Sequence, residues 1–145
     1  MRFSGTIYRD GNFWLAEIPI LDLTTQGRTK RETYEMVADM LESLVNKEGF
    51  KVEVYKGKKE KFEIGSSEPK HMISLLLQRK RELSGLSLSQ VADKLGMKSR
   101  NTYARYEQGQ SVPSVEKLNE LLNAVCPQRD IVITESIIPL TSASS

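Results

Sequence analysis

Near residue 65 this chain passes from a half that is mostly strand-patterned to one that is helix-patterned, and that change restricts what it can fold into. Before residue 65 apolar positions alternate in several short runs, with one helical stretch over 29–45 between them, and from residue 72 to 126 they recur at every third and fourth residue. A strand buries one face at period two and a helix buries a stripe at period 3.6, so neither pattern packs well in the other conformation. Between them, "GSSEPKH" (residues 65–71) combines Gly, Ser and Pro with no apolar residue and reads as a linker. The expected organisation is a strand-rich domain over 1–64, a linker over 65–71, a helical domain over 72–126, and a C-terminal strand and tail over 127–145. A chain of 145 residues has room for two small domains.

Three strands open the chain. "RFSGTIY" alternates with Phe3, Gly5 and Ile7 on one face, and "RDGN" supplies an Asp10-Gly11 hairpin signal. "FWLAEI" is the second strand, ended by Pro19, and "LDLTTQG" the third, ending at Gly27. Thr29-Lys30-Arg31-Glu32 fits a capping box, with Thr29 taking the Glu32 N–H and Glu32 reaching back. Tyr34, Val37, Ala38, Leu41, Leu44 and Val45 then form one helical stripe, and Gly49 is placed for a left-handed cap. "FKVEVY" and "KFEI" return to strand. A helix with one apolar stripe needs a sheet to cover it, so the expected class is α+β, a β-β-β-α-β layer pair with one further strand.

The helical half starts with "MISLLLQRKREL". Ser87-Leu88-Ser89-Gln90, a second capping box, opens a short helix running to Leu95 and ending at Gly96. "KSRNTYARYEQG" is the third helix, closed by Gly109. Ser114 caps a fourth, whose stripe is Val115, Leu118, Leu121, Leu122 and Val125, before Pro127 ends it. Two short helices joined across a glycine and flanked by longer ones describe a helix-turn-helix bundle. "DIVITESI" reads as one more strand, able to pair with its symmetry mate, and "TSASS" as a frayed tail.

Composition narrows the function classes. Hydrophobic residues make up 39% and charged residues 28%, a globular balance. No stretch approaches the ~20 apolar residues of a membrane span. "MRFSGTIYRDGN" has no apolar leader segment, and the single cysteine, Cys126, permits no internal disulfide, so a cytoplasmic location is expected. One Cys and one His, His71, cannot supply a tetrahedral zinc set. No cofactor is expected. Residues 1–68 hold 11 Lys/Arg and 12 Asp/Glu, residues 69–110 hold 8 and 3, and residues 111–145 hold 2 and 4. The positive charge is concentrated around "KSRNTYARYEQG", as expected for a segment with a polyanionic partner.

"LSLSQVADKLGMKSRNTYARYEQGQSVPS" resembles the Xre/Cro phage-repressor family of DNA-binding domains. The matching features are Ala92 inside the turn, Leu95-Gly96 at the turn, Glu107 and Gly109 closing the third helix, and Pro113-Ser114 before the fourth. One residue is added between Gly96 and Glu107 relative to the common pattern, which shifts the register of the base readers by up to one position. The resemblance implies that the third helix enters the major groove of double-stranded DNA. Arg100 and Arg105 can then fork onto guanine and Asn101 can pair with adenine. Lys98, Ser99 and Thr102 are placed for phosphates, and Ser87, Ser89 and Gln90 can offer hydroxyls and backbone donors to another phosphate. Tyr103 and Tyr106 fall on the inward side. Arg81 and Glu107 match positions of a structural ion pair in that family.

"FWLAEIPILDLTTQGRTKRETYEMVADMLESL" resembles the HicB antitoxin family, which implies a partial RNase H-like fold for residues 1–64. The features are Glu17-Ile18-Pro19, Thr25-Gln26-Gly27 and the Thr29-capped helix. The resemblance implies a type II toxin–antitoxin role: neutralising a HicA-like mRNA-cleaving toxin, and repressing the protein's own operon as a homodimer or higher oligomer on operator DNA. The implied toxin contacts are Trp14, Glu17 and Asp22. A stand-alone Xre-family transcriptional regulator with a ligand-sensing N-terminal domain is the alternative. A nuclease of the RNase H class would need carboxylates holding two metal ions. "RFSGTIY" has no carboxylate, Asp10 sits in the turn and Asp39 sits in mid-helix, so the chain is not expected to be an enzyme.

Overall fold

The computed structural model describes residues 1–139 of the chain, and the "TSASS" tail lies outside them. The chain divides into two compact units. Of the described residues, the first takes Met1–Pro69 together with Glu135 to Pro139, and the second takes Lys70–Thr134. The class is α+β, as the two periodicities require.

The first unit is a five-stranded sheet with one helix on it. Strands β1 (Arg2–Asp10), β2 (Phe13–Ile18), β3 (Leu23–Gly27), β4 (Glu53–Lys56) and β5 (Lys61–Gly65) lie in the order β3-β2-β1-β5-β4. Every neighbouring pair is antiparallel. Helix α1 (Lys30–Val45) buries Tyr34, Val37 and Leu41, and Phe3, Ile7, Ala16, Ile18, Phe62 and Ile64 of the sheet are buried with them. Gly5 pairs with Phe62 across β1 and β5, and the Phe62 ring lies over the glycine where a Cβ would stand. Tyr34 meets the same ring edge-on at 5.5 Å. The bare Gly5 backbone is therefore the seat of the aromatic pair at the centre of this layer.

Local chemistry moves several boundaries. Asp10 pairs with Phe13, so the β1–β2 turn is Gly11-Asn12, one residue later than the Asp10-Gly11 signal. Gly11 has φ 61°, which suits the first central position of such a turn. Pro19–Leu21 forms a single 3-10 turn, closed by Asp22 in the left-handed region, which shortens the third strand. Thr29 caps α1 by accepting from the Glu32 N–H at 3.0 Å, but Glu32 reaches past Thr29 to the Arg28 N–H at 3.1 Å. Helix α1 ends at Asn46 rather than Gly49. Asn46 takes φ 50° and donates to the Glu42 carbonyl, a conformation its short polar side chain tolerates. The expected linker contracts because Pro69 already opens the next helix, where its missing N–H costs nothing.

"DIVITESI" forms no strand in the single chain; residues 129–137 have no regular structure. A strand needs a neighbour to take its backbone groups, and the chain supplies none there. The end of this segment and the residue after it are fixed to the sheet. Arg2 forms an ion pair with Glu63 at 2.9 Å, stacks on Tyr55 at 3.7 Å, and donates to Ser136 Oγ at 3.2 Å and the Ile138 carbonyl at 3.0 Å. Ser136 also donates to the Glu63 carboxylate, and Ile138 lies against Gly57. Among the described residues no helix is long and apolar enough to cross a membrane.

Gly5→Val should lower the stability of the first unit by about 1–3 kcal/mol, because the added branches meet the Phe62 ring. Chemical denaturation followed by tyrosine and tryptophan fluorescence will measure the loss.

Candidate nucleic-acid interface

The second unit is a bundle of α2 (Pro69–Leu83), α3 (Leu88–Lys94), α4 (Arg100–Glu107) and α5 (Val115–Val125). Ile73, Leu77, Val91, Ala92, Tyr103, Leu121 and Val125 form its core. Burial holds the Tyr103 phenol well above the usual tyrosine range, and the nearby Glu107 carboxylate adds to the effect.

Each helix end is specified locally. Both halves of the Ser87–Gln90 capping box are formed, at 3.1 and 2.8 Å. Helix α3 stops when the Met97 N–H reaches back to the Ala92 carbonyl and the Gly96 N–H to that of Asp93. Helix α4 stops the same way, Gln110 N–H to Arg105 and Gly109 N–H to Tyr106. Both terminations need a left-handed residue, and Gly96 (φ 68°) and Gly109 (φ 72°) supply it. Ser114 caps α5 by accepting from the Lys117 N–H at 3.1 Å.

One guanidinium ties three of these pieces together. Arg81, near the end of α2, pairs with Glu107 of α4 through two hydrogen bonds of 2.7 and 2.9 Å. Its remaining nitrogen donates at 2.9 Å to the Leu86 carbonyl in the α2–α3 connection. The Glu107 side chain is 7% exposed and that of Arg81 15%, so the pair is largely shielded from water. His71, expected in the linker, is instead buried in the first turn of α2, where its ring packs against the Gly109 backbone.

The remaining cations fall into two groups. Arg81 is committed to Glu107, Arg79 to Glu82, and Lys94 Nζ to the Ala124 carbonyl at 2.7 Å, at the C-terminal end of α5. Lys80 is buried. Apart from Lys70 in the first turn of α2, the cations of residues 69–110 that are exposed and form no ion pair or side-chain hydrogen bond with any described residue are Lys98, Arg100 and Arg105. They sit within the turn before α4 and along that helix.

All nine candidate DNA-contacting residues are exposed: Ser87, Ser89, Gln90, Lys98, Ser99, Arg100, Asn101, Thr102 and Arg105. Helix geometry separates them. Tyr103, Ala104 and Glu107 mark the inward side of α4. Asn101, Thr102 and Arg105 lie opposite, on one outward stripe, with Gln108 one turn further and also exposed. Arg100 is seven residues before Glu107 and so starts the inward stripe, projecting only because it is the first helical residue. Gln108 was not singled out from sequence; its i+7 spacing from Asn101 is the signal that finds it. Ser87 Oγ and Gln90 Oε1 are occupied by the capping box, which leaves the exposed Ser89 hydroxyl and the Gln90 amide nitrogen as donors. The Ser99 and Thr102 hydroxyls lie 3.5 Å apart at the start of α4.

The three candidate toxin contacts do not come together. Trp14 is half-buried on the α1 side of β2, with Lys30 Nζ 5.5 Å from its ring centre. Glu17 is on the opposite, open face, accepting from the Tyr8 hydroxyl at 2.9 Å. Asp22 is exposed at the end of the 3-10 turn. The open face groups Tyr8, Leu15 and Glu17 instead, with Tyr8 directly opposite Leu15. Among the described residues no three His, Cys, Asp or Glu side chains converge to hold a metal ion.

Residues 77–125 match the family model of the helix-turn-helix, about a third of the chain. This segment, with a capped α3, a glycine turn and an α4 whose outer side carries Asn101, Thr102 and Arg105, is a helix-turn-helix domain, a class of module that reads double-stranded DNA. No curated protein matches the chain significantly.

Glu107→Ala should cost about 3 kcal/mol, because it leaves the Arg81 guanidinium shielded from water without its partner. The double variant Arg81→Met/Glu107→Leu should recover most of that loss. Guanidinium denaturation of the three proteins tests both statements.

Proposed function

We propose that the protein is the antitoxin of a type II toxin–antitoxin pair and represses its own operon. In this reading the second unit binds a palindromic operator as a dimer or higher oligomer. The first unit binds and neutralises a small, basic, HicA-like mRNA-cleaving toxin. The protein is cytoplasmic and is not itself an enzyme. The observation that carries the DNA half is the outward stripe of α4: Asn101, Thr102 and Arg105 are exposed there, beside the unpaired cations Lys98 and Arg100. The toxin half rests on the sequence pattern Glu17-Ile18-Pro19, Thr25-Gln26-Gly27 and Thr29. It is also favoured by the charge contrast between residues 1–68 (11 basic, 12 acidic) and 69–110 (8 basic, 3 acidic). The helix-turn-helix match leaves the first unit unassigned, which favours one alternative: a stand-alone Xre-type regulator whose first unit senses a small ligand.

The stripe refines the roles within α4. Arg105 and Asn101 are the base readers, Lys98 and Thr102 bind phosphate, and Arg100, off the stripe, binds backbone rather than bases. Asn101→Ala and Arg105→Ala should each weaken binding to the DNA upstream of the gene by ~1–3 kcal/mol and relax sequence preference. Lys98→Ala should weaken specific and unrelated DNA alike and lower the salt slope by about one. Fluorescence anisotropy at several salt concentrations reads all three, and unchanged binding in every variant would refute the assignment of α4.

For the toxin half, the full-length chain should rescue growth of cells expressing a small basic protein encoded next to it, and should co-purify with that protein. Glu17→Arg should reduce the rescue while leaving DNA binding intact. Absence of any such neighbouring partner, with DNA binding retained, would favour the stand-alone regulator.

A further inference from the structure

We infer that the hairpin joining β4 to β5 is a second, sequence-independent DNA contact, in which Lys58, Lys59 and Lys61 bind backbone phosphates. The first unit is acidic apart from this hairpin. Residues 56–61, "KGKKEK", hold four Lys and one Glu, whereas the rest of residues 1–68 hold 7 Lys/Arg and 11 Asp/Glu. All four lysines are exposed. Lys56 Nζ lies 5.2 Å from the centre of the Tyr34 ring. Lys58, Lys59 and Lys61 form no ion pair with any described residue, Glu60 included. Like charges gathered in six residues repel one another, and the carboxylates of the unit are not used to offset them.

The backbone presents these lysines in a fixed and unusual turn. The Lys61 N–H donates to the Lys58 carbonyl at 3.2 Å, and the Gly57 N–H to the Lys61 carbonyl at 2.7 Å. The two residues enclosed, Lys59 and Glu60, both have positive φ, 54° and 63°. Hairpin turns of this kind favour Asn-Gly, because left-handed backbone is disfavoured for longer side chains. Lys-Glu keeps a strain that Asn-Gly would relieve, and strain kept in an exposed turn points to a use for the side chains. The turn is also tied to the central strand, since the Ile7 N–H donates to the Glu60 carbonyl at 2.8 Å. The backbone that carries the lysines is thus already ordered before a partner arrives.

Lysines also guard the edges of sheets. That accounts for Lys56 on the outer strand β4, but Lys58 and Lys59 lie beyond the ladder, where there is no edge to guard. A basic partner, such as the proposed toxin, is repelled here, and a polyanion is attracted. An ammonium is a compact point charge, suited to phosphate rather than to the paired donors and acceptors of a base. Residues 66–68 alone join β5 to α2, so DNA held by α4 is presented to the hairpin at high effective concentration. This role rests on the DNA reading of α4 and extends it to the first unit.

The test is DNA binding by the full-length chain, followed by fluorescence anisotropy over a range of salt. Lys58→Gln/Lys59→Asn removes two charges at exposed positions, and Asn suits the left-handed backbone. It should weaken binding roughly tenfold at ~0.1 M salt, for upstream and unrelated DNA alike, and lower the salt slope by about two. Its circular dichroism spectrum should be unchanged. Lys58→Arg/Lys59→Arg should bind like the wild type. Lys30→Gln/Lys47→Gln, which removes the same charge around the ends of α1, should keep the wild-type slope. A Lys58→Gln/Lys59→Asn protein with the wild-type slope, or an α1 variant that lowers the slope equally, overturns the hairpin contact while the α4 reading stands. A wild-type chain that binds no DNA overturns both.

Discussion

The Arg81 guanidinium holds the second unit in its working arrangement. It donates to both Glu107 oxygens and to the Leu86 carbonyl, and so joins the end of α2, the connection into α3 and the end of α4. A guanidinium suits this position because its donors lie in one rigid plane and fork onto a carboxylate. The pair is shielded enough that either partner alone would be costly. Tyr103 lies one turn before Glu107 and fills the core beside it. The outward side of α4 is therefore aimed by interactions on its inward side, and a residue that touches no ligand sets where Asn101 and Arg105 point.

Charge in this unit is divided by use. Some cations are spent on architecture: Arg81 on Glu107, Arg79 on Glu82, and Lys94 on the last turn of α5, where its ammonium meets a carbonyl end. Lys98, Arg100 and Arg105 have no such commitment, and all three gather at one helix. A net charge for residues 69–110 counts both groups alike. What matters to a polyanion is the uncommitted group, and apart from Lys70 in α2 it is gathered at α4.

Local rules made most of the elements legible. Thr29, Ser87 and Ser114 cap the helices they precede, and Gly96 and Gly109 end the helices before them, because each signal acts within a few residues. Sequence pattern and structure part where two local solutions compete. Asn46 took the left-handed cap ahead of Gly49, and Pro69 began a helix inside a stretch that looked like a linker. Faces were harder to read than elements. Trp14 and Glu17 are three residues apart, and on a strand that spacing puts them on opposite sides of the sheet. Arg100 and Arg105 are alike in sequence, and the helix phase set by Tyr103, Ala104 and Glu107 separates them. "DIVITESI" has strand composition without a strand, because composition cannot supply the neighbour that a strand needs.

The clasp around Arg2 joins residues 134 positions apart in sequence. Closing so long a loop carries a logarithmic entropy cost, modest once the chain is whole. During synthesis the effect is one of timing. The sheet and α1 can form as soon as Gly65 has left the ribosome, but Ser136 and Ile138 reach Arg2 and Glu63 only after the entire helical unit has been made. The first unit thus exists in two states in the life of one molecule, an early one in which Arg2 and Glu63 of the central β1–β5 pair lack these partners and a finished one in which Ser136 and Ile138 hold them. A chain truncated anywhere in the second unit keeps the early state permanently.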